Sequence, residues 1–213
     1  MNEAGLAYLR WFYDTNVWKF LHYRGVRTLK LPLDMWNYQE IIFEENIHWI
    51  VETGTRHGGS ALFFADLLAA SNREGRVVSI DVTHEALDPV AAAHPRIRLL
   101  LGDSASESIK QQVMGSVPDQ RWGGLLLILD SDHAASHVLR ELTTWVPALR
   151  RGDYLIVEDT IVNGHPVRPE FGPGPFEAVE EYLARNPERL LPDGAREGKF
   201  GCTFAARGYF RVA

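Results

Sequence analysis

The sequence predicts an α/β protein of the Rossmann-like, doubly wound type, and three observations indicate it. From residue 48 onward, short apolar runs that end in an acidic residue alternate with stretches of helical apolar spacing. The predicted strands are apolar at almost every position, as in a parallel sheet that helices cover on both faces. Residues 199–212 contain two β-like runs instead, which predict an antiparallel hairpin at one edge of a seven-stranded, mostly parallel sheet.

The first part of the chain differs from the rest because it is rich in large aromatic residues. A break at 30–34 precedes an apparent helix at about 35–45. We therefore expect an N-terminal helical and aromatic segment over 1–47, packed on a domain formed by 48–213.

The elements of the second part follow in order. Helices are expected over 60–70, between 132 and 147, and over 176–186. The predicted strands cover residues 48–51, 76–80, 97–101, 125–129, 154–157, 200–204 and 208–212.

Length and composition exclude several classes of protein. The 213 residues, 46% hydrophobic and 23% charged, suit one globular domain of ordinary size. A net charge of -6 provides no cationic field for nucleic acid or an anionic membrane. The single cysteine, Cys202, fits a reducing compartment, so we expect a cytoplasmic protein.

Five predicted strands end in acidic residues. Right-handed crossovers place the carboxyl ends of parallel strands at one edge of the sheet, where ligands bind. Each acid taken alone is also explained as a loop residue or a helix cap. The five ends carry Glu52, Asp81, Asp103, Asp130 with Asp132, and Glu158 with Asp159.

A glycine-containing turn joins the first strand of the second part to its helix. Glycine lets the backbone approach a ligand closely, and the helix N-terminus offers N–H donors to an anion. The segment matches neither the G-x-G-x-x-G dinucleotide fingerprint nor a phosphate loop. The residues expected to bind a cofactor here are Glu52, Thr53, Gly54, Thr55, Gly58, Gly59 and Ser60.

Acids on the next two strands select among nucleoside cofactors. Asp81 lies 22 positions beyond Gly59, where a carboxylate accepts hydrogen bonds from ribose hydroxyls. Asp103 is placed to accept from an adenine amine, and Ser104 and Asp130 complete the predicted cofactor residues. This set suits S-adenosylmethionine, and NAD is the alternative.

A second constellation predicts a metal site. The pairs Asp130 with Asp132 and Glu158 with Asp159 follow neighbouring strands, and such a group of carboxylates is repulsive unless a cation lies between them. Oxygen ligands favour Mg²⁺ or Ca²⁺ over zinc. As an alternative, Asp132 caps the next helix and the second pair is merely solvated.

Several blocks of the sequence together form a recognisable pattern: 30–36 with 38–40, 52–55 with 58–61, 102–104, 129–133, and 152–155 with 157–160. These blocks resemble the cephalosporin hydroxylase (CmcI-like) family of class I S-adenosylmethionine-dependent methyltransferases. The resemblance runs from about Trp18 to the C-terminus and implies Mg²⁺ bound by Asp132, Glu158 and Asp159. Asp130 is the alternative ligand to Asp132, as in the related catechol-type methyltransferases. We also expect a homo-oligomer and a role in secondary metabolism such as antibiotic biosynthesis.

The predicted reaction is metal-dependent O-methylation of a small molecule with neighbouring hydroxyls, such as a natural-product sugar or a catechol. The metal aligns the acceptor and lowers its pKa, with Asp132 as a catalytic ligand and His133 as the base. His165 is the reserve base, and the N-terminal aromatics are core or oligomer contacts or frame the substrate pocket. An NAD-dependent oxidoreductase and a non-catalytic partner of a hydroxylase are the alternatives.

Overall fold

The computed structural model describes residues 2–213. Its helices and strands alternate along the chain as the apolar pattern predicts. The helices are α1 Glu3–Asp14, α2 Pro32–Glu44, α3 Gly59–Ala70, α4 Pro89–Ala92, α5 Glu107–Met114, α6 Ala135–Trp145, α7 Pro175–Arg185 and α8 Gly194–Gly198. The strands are β1 His22–Tyr23, β2 Val26–Arg27, β3 Ile47–Thr53, β4 Val77–Asp81, β5 Ile97–Leu101, β6 Gly124–Leu129, β7 Tyr154–Val157, β8 Leu190–Pro192 and β9 Tyr209–Val212.

Seven strands form one sheet in the order β5-β4-β3-β6-β7-β9-β8. β3 pairs in parallel with both β4 and β6, so the strand order reverses direction at the centre of the sheet. Beyond β7, β9 pairs antiparallel with β7 and β8 pairs antiparallel with β9, so β9 alone runs against the direction of the other strands. The predicted doubly wound, mostly parallel sheet with an antiparallel C-terminal pair is confirmed.

Apolar residues fill both faces of the sheet, as the almost continuous apolar strands predict. One core places Trp145 of α6 and Tyr182 of α7 against strand residues such as Leu127. The other core places Phe64 of α3 and Ile41 of α2 against the opposite face. The carboxyl ends of the parallel strands therefore emerge between two helical layers.

The N-terminal segment packs on the body of the fold rather than standing apart. Leu9 and Phe12 of α1 and Leu31 share a core with Ile161 and Phe204 from the second part of the chain. The division at residue 47 stays a prediction.

One predicted strand is wrong. Residues 200–204 form an irregular segment of turn and bends instead, and the partner of β9 is Leu190–Pro192. Gly201 adopts a φ of 77°, which an extended strand does not allow. Phe204 packs against Phe12, and its N–H donates to Asp34 at 2.8 Å, so this segment pairs with the N-terminal part of the chain. The local pattern of residues 200–204 fits both a strand paired with β9 and a segment packed on the N-terminal part of the chain, so the sequence alone cannot distinguish them.

Sequence reasoning also left several short elements undefined. Among them are α4 and α8, which have four and five residues and too few turns for a clear apolar period. Within residues 2–213, none of the helices has the length and apolar character that a bilayer crossing requires.

Candidate active site

A cavity of about 820 Å³ lies at the carboxyl ends of the parallel strands. Its wall combines the turn after β3, the ends of β4 and β6, the segment after β7, and residues of the N-terminal segment. This is the edge where open parallel sheets bind ligands, and it lies at the reversal of strand order. The predicted convergence of strand ends therefore produces one site.

The turn after β3 depends on Gly54. Its φ is 87°, and a Cβ atom there would lie 1.9 Å from the carbonyl oxygen of Asp130. Only glycine allows this left-handed turn to pass so close to the end of β6. The turn brings Gly54, Thr55, Gly58, Gly59 and Ser60 to the cavity wall, at the N-terminus of α3.

Two predicted cofactor residues do not reach the wall. Glu52 and Thr53 are fully buried within β3 and do not line the cavity. A carboxylate oxygen of Glu52 accepts a hydrogen bond from Ser79 Oγ at 3.0 Å, and Thr53 Oγ1 accepts from the Asp130 N–H at 3.1 Å. Both residues therefore hold the end of β3 against the neighbouring strands. Their predicted contact with the cofactor stays a prediction.

Asp81 and Asp103 do reach the cavity, one strand apart. Asp81 Oδ2 accepts from the backbone N–H of Arg56 at 2.8 Å, which ties the end of β4 to the glycine turn. Asp103 accepts from the Ala105 N–H at 2.9 Å and pairs with Arg140. Hydrogen bonding to Ala105 and Arg140 opposes the effect of burial and lowers the pKa of Asp103 below its ordinary value. Both acids are thus held as oriented acceptors.

A buried polar network beside Asp103 was not foreseen. Ser104 Oγ and Ser131 Oγ donate to Glu141 at 2.6 and 2.8 Å, and His137 Nε2 lies 3.2 Å from Ser104 Oγ. Ser104, Ser131 and His137 line the cavity, while Glu141 is fully buried. The only sequence signal was a glutamate on the apolar face of α6, four residues after a histidine.

One group of side chains in residues 2–213 has the spacing of metal ligands. Ligand atoms of Asp130, His133 and Asp159 all lie within 4.8 Å of one another. Asp159 has a φ of 53°, a conformation that non-glycine residues seldom adopt, and His133 Nε2 lies 3.2 Å from its Oδ2. Two carboxylates give the oxygen ligands that Mg²⁺ prefers, so these residues fit such an ion.

The other two predicted metal ligands lie outside this group. Asp132 lines the cavity, but its Oδ1 accepts from the Ala134 N–H at 2.8 Å just before α6. Glu158 is almost fully buried, and its Oε1 accepts a hydrogen bond from Lys30 at 2.5 Å. The geometry therefore favours Asp130, the alternative from the sequence, over Asp132.

The carboxylates around His133 favour the protonated form of its imidazole. Burial alone would lower the pKa of its imidazole, but the carboxylates of Asp159, Asp130 and Glu158 raise it above the ordinary value. The reserve candidate His165 instead contacts Glu177 at 2.9 Å and stacks on Phe176, away from the cavity wall. Of the two histidines, His133 alone lies beside the acidic group.

Lys30 is the main functional residue that sequence reasoning missed. Its ammonium is buried and pairs with both Asp130 and Glu158. Burial would lower the pKa of Lys30, but Asp130, Glu158 and Glu52 raise it above its ordinary value. The available signal was a lone lysine directly before the apolar pair Leu31 and Pro32.

Aromatic side chains form one part of the cavity wall, which we call the aromatic wall. It consists of Tyr13, Trp18, Phe171 and Phe204. The rings of Tyr13 and Trp18 stack with centroids 5.8 Å apart, and Phe204 meets Tyr13 edge-on at 5.9 Å. Some N-terminal aromatics therefore frame the cavity, as one of the two interpretations of the sequence predicts.

Comparison with known proteins gives concordant results. The family model described as Rhamnosyl O-methyltransferase/CmcI matches residues 15–213. A rhamnosyl O-methyltransferase of Mycobacterium tuberculosis is 42% identical over 202 residues, which cover 95% of this chain and 82% of the relative. A rhamnosyl O-methyltransferase of Mycobacterium leprae is 43% identical over 202 residues, covering 95% of this chain and 87% of the relative.

Solved structures share the fold. A CmcI structure with Mg and SAM has a TM-score of 0.71 at 24% identity, and the match covers 92% of this chain and 77% of that one. A structure of the mycinamycin methyltransferase MycE with Mg, SAH and mycinamycin VI has a TM-score of 0.52 at 18% identity. That match covers 88% of this chain and 50% of the MycE chain.

Proposed function

The chain belongs to the rhamnosyl O-methyltransferase/CmcI family and is an S-adenosylmethionine-dependent methyltransferase, and we propose that it transfers the methyl group to a hydroxyl of a sugar in a Mg²⁺-dependent reaction. The proposed acceptor is a glycosyl group with neighbouring hydroxyls. The relatives named rhamnosyl O-methyltransferase support a glycosyl acceptor. Its role in secondary metabolism, its cytoplasmic location and its assembly as a homo-oligomer stay predictions.

One observation carries the proposal. The group of Asp130, His133 and Asp159 lies in the wall of the same cavity as the glycine turn and the aromatic residues. A cofactor on the turn and an acceptor against the aromatic wall would therefore meet at the acidic group. This is the arrangement that a transfer reaction needs, because both reactants must lie close together and in line.

In this proposal, different residues would hold the cofactor and the ion. Gly54 to Ser60 and the carboxylates of Asp81 and Asp103 would hold the cofactor at one end of the cavity, and Asp130 and Asp159 would hold the ion. When bound, S-adenosylmethionine supplies an electrophilic methyl group and Mg²⁺ supplies a Lewis acid that orients neighbouring hydroxyls. Lys30 contacts the carboxylates of both Asp130 and Glu158, so the predicted ligand Glu158 would pair with Lys30 and would not hold the ion directly.

His133 acts as the base in this proposal. Its Nε2 lies 3.2 Å from Asp159 Oδ2, so the carboxylate orients the imidazole and stabilises its protonated form. The imidazole would take the proton of the acceptor hydroxyl as that oxygen bonds to the methyl carbon and the methyl–sulfur bond breaks, which releases S-adenosylhomocysteine. The proton would then pass to solvent because the ring is partly exposed.

The decisive experiment follows methyl transfer to a simple rhamnoside by mass spectrometry, with Mg²⁺ and with EDTA. We expect a product heavier by one methylene, formed with Mg²⁺ and suppressed by EDTA. Asp159→Asn should lower the rate by at least about a hundred-fold, because the ion and His133 both lose a charged partner. Binding of S-adenosylhomocysteine, measured by calorimetry, should change little.

Asp119→Asn is the matched control, since Asp119 lies in an exposed loop outside the cavity. A rate that EDTA leaves unchanged would contradict the Mg²⁺ dependence. Methylation of catechols but not of any rhamnoside would contradict the sugar acceptor.

A further inference from the structure

Lys30 joins the N-terminal segment to the ends of two neighbouring parallel strands. Its side chain is only 2% exposed, and its Nζ donates to Asp130 after β6 and to Glu158 Oε1 after β7. A single cation thus contacts carboxylates that follow two neighbouring strands.

Asp130 is shared between two groups of side chains. It pairs with Lys30 on one side, and it is one of the three residues whose ligand atoms lie within 4.8 Å of one another on the other. A permanent positive charge beside a carboxylate ligand repels an incoming divalent ion. The same charge holds the buried carboxylates in place when no ion is bound.

We propose that Lys30 is a positioning residue with two opposite effects on the metal site: it keeps the site assembled without the ion, and it weakens the binding of the ion. The inference rests on the proposed divalent-ion site at Asp130 and Asp159. It predicts a site that exchanges its ion readily and needs no metal in order to fold.

Replacement of Lys30 by methionine separates the two effects. Lys30→Met keeps most of the volume but leaves Asp130 and Glu158 without their cation, so the metal-free protein should melt roughly 5–15 °C lower. Mg²⁺ should recover much of this loss in the variant and shift the melting temperature of the wild type much less. The Kd for Mn²⁺, measured by electron paramagnetic resonance, should fall by about ten-fold or more, because the repulsive charge is gone.

Two further variants complete the test: one replaces Lys30→Met if that variant does not fold, and the other is a control. Lys30→Met combined with Glu158→Gln removes one of the two stranded carboxylates and should recover part of the metal-free stability, so it serves if the single variant does not fold. Lys110→Met is the matched control: Lys110 pairs with Glu107 at 2.7 Å, away from the cavity. It should leave the Kd for Mn²⁺ and the effect of Mg²⁺ on melting unchanged.

The outcomes distinguish this inference from the proposed function. If the Lys30 variants bind Mn²⁺ no more tightly than the wild type, or bind none, the inference is wrong. A merely structural lysine would lower the melting temperature without tightening the site. Methyl transfer by the wild type in EDTA would instead contradict the proposed Mg²⁺ dependence, while tighter Mn²⁺ binding by Lys30→Met would still support the role of Lys30.

Discussion

Individual carboxylates in the cavity differ in their partners, and the partners decide what each can do. Asp132 accepts a backbone hydrogen bond, Glu158 pairs with a buried lysine, and Asp159 faces His133. Burial and the neighbouring Asp130 raise the pKa of Glu158 above its ordinary value, against the opposing effect of Lys30. Acids that look equivalent in sequence therefore have separate roles.

For His133, we expect His133→Gln to lower the rate of methyl transfer by about 10²–10⁴-fold, since glutamine keeps a polar side chain but cannot accept the proton. The affinity for S-adenosylhomocysteine should stay the same in calorimetry. His165→Gln is the comparison, because its ring contacts Glu177 outside the cavity wall. Equal losses of rate in both variants would argue against His133 as the base.

Glu177 gives a prediction about pH. Burial raises its pKa, but hydrogen bonds from the Gly174 N–H, His165 and Asn163 lower it to about 2, against an ordinary value of 4.5. The carboxylate therefore stabilises the fold above about pH 4.5, and this contribution is lost as the pH falls toward 2. We expect Glu177→Gln to lower the free energy of unfolding by about 1 kcal/mol at pH 7, since the side chain is partly exposed.

Urea denaturation at pH 7 and pH 3 tests this prediction. The difference between wild type and Glu177→Gln should shrink at pH 3. Glu188→Gln, an exposed glutamate in the turn after α7, should show no difference at either pH. If wild type and Glu177→Gln differed in free energy of unfolding by the same amount at both pH values, the charge of Glu177 would contribute nothing to stability.

At the scale of elements, the segment before β3 completes the cavity. The stretch after β2 delivers Lys30, and the residues around α1 deliver Tyr13 and Trp18. Gly59 allows this packing, because a Cβ atom there would lie 2.1 Å from Thr28 Oγ1. In the proposed function, an acceptor against Tyr13 and Trp18 would therefore contact a different part of the chain than a cofactor on the glycine turn.

This division predicts a selective effect of Trp18→Ala. The KM for the rhamnoside should rise by roughly 10–100-fold, because an aromatic wall residue is lost and each factor of ten corresponds to about 1.4 kcal/mol. Calorimetric binding of S-adenosylhomocysteine should be unaffected. Trp36→Ala is the control, since Trp36 is exposed on α2 and outside the cavity. If Trp18→Ala weakened the binding of S-adenosylhomocysteine and left the KM for the rhamnoside unchanged, Trp18 would contact the cofactor rather than the acceptor.

On the scale of the whole molecule, the cores join segments that are distant in sequence. Leu9 and Phe12 pack with Ile161 and Phe204, and Ile41 packs with Phe64 and the sheet. A segment that shares its core with the rest of the chain cannot unfold alone without exposing that core. We therefore expect one cooperative transition for the full chain.

Urea denaturation followed by circular dichroism and by tryptophan fluorescence checks this expectation. Leu9→Ala should lower the free energy of unfolding by about 2–5 kcal/mol, because Leu9 is fully buried, and the two signals should still coincide. Two separate transitions would mean that residues 1–47 fold as an independent unit.

The sequence by itself determined the features that depend on local periodicity and on strand ends. Apolar runs located strands such as 97–101 and 154–157, and the acids that follow them located the binding edge of the sheet. Cavity residues such as Gly54, Asp81 and Asp103 were predicted because a parallel sheet brings its carboxyl ends to one edge.

Only the tertiary structure decided which side chains meet. That Asp130 rather than Asp132 lies beside His133 and Asp159 depends on where each carboxylate points after β6, and a spacing of two residues leaves this open. Lys30 reaches Asp130 across 100 positions of sequence, and residues 200–204 pack on α1 instead of pairing with β9. Contacts between distant segments follow from how the whole chain packs, and local pattern carries no record of them.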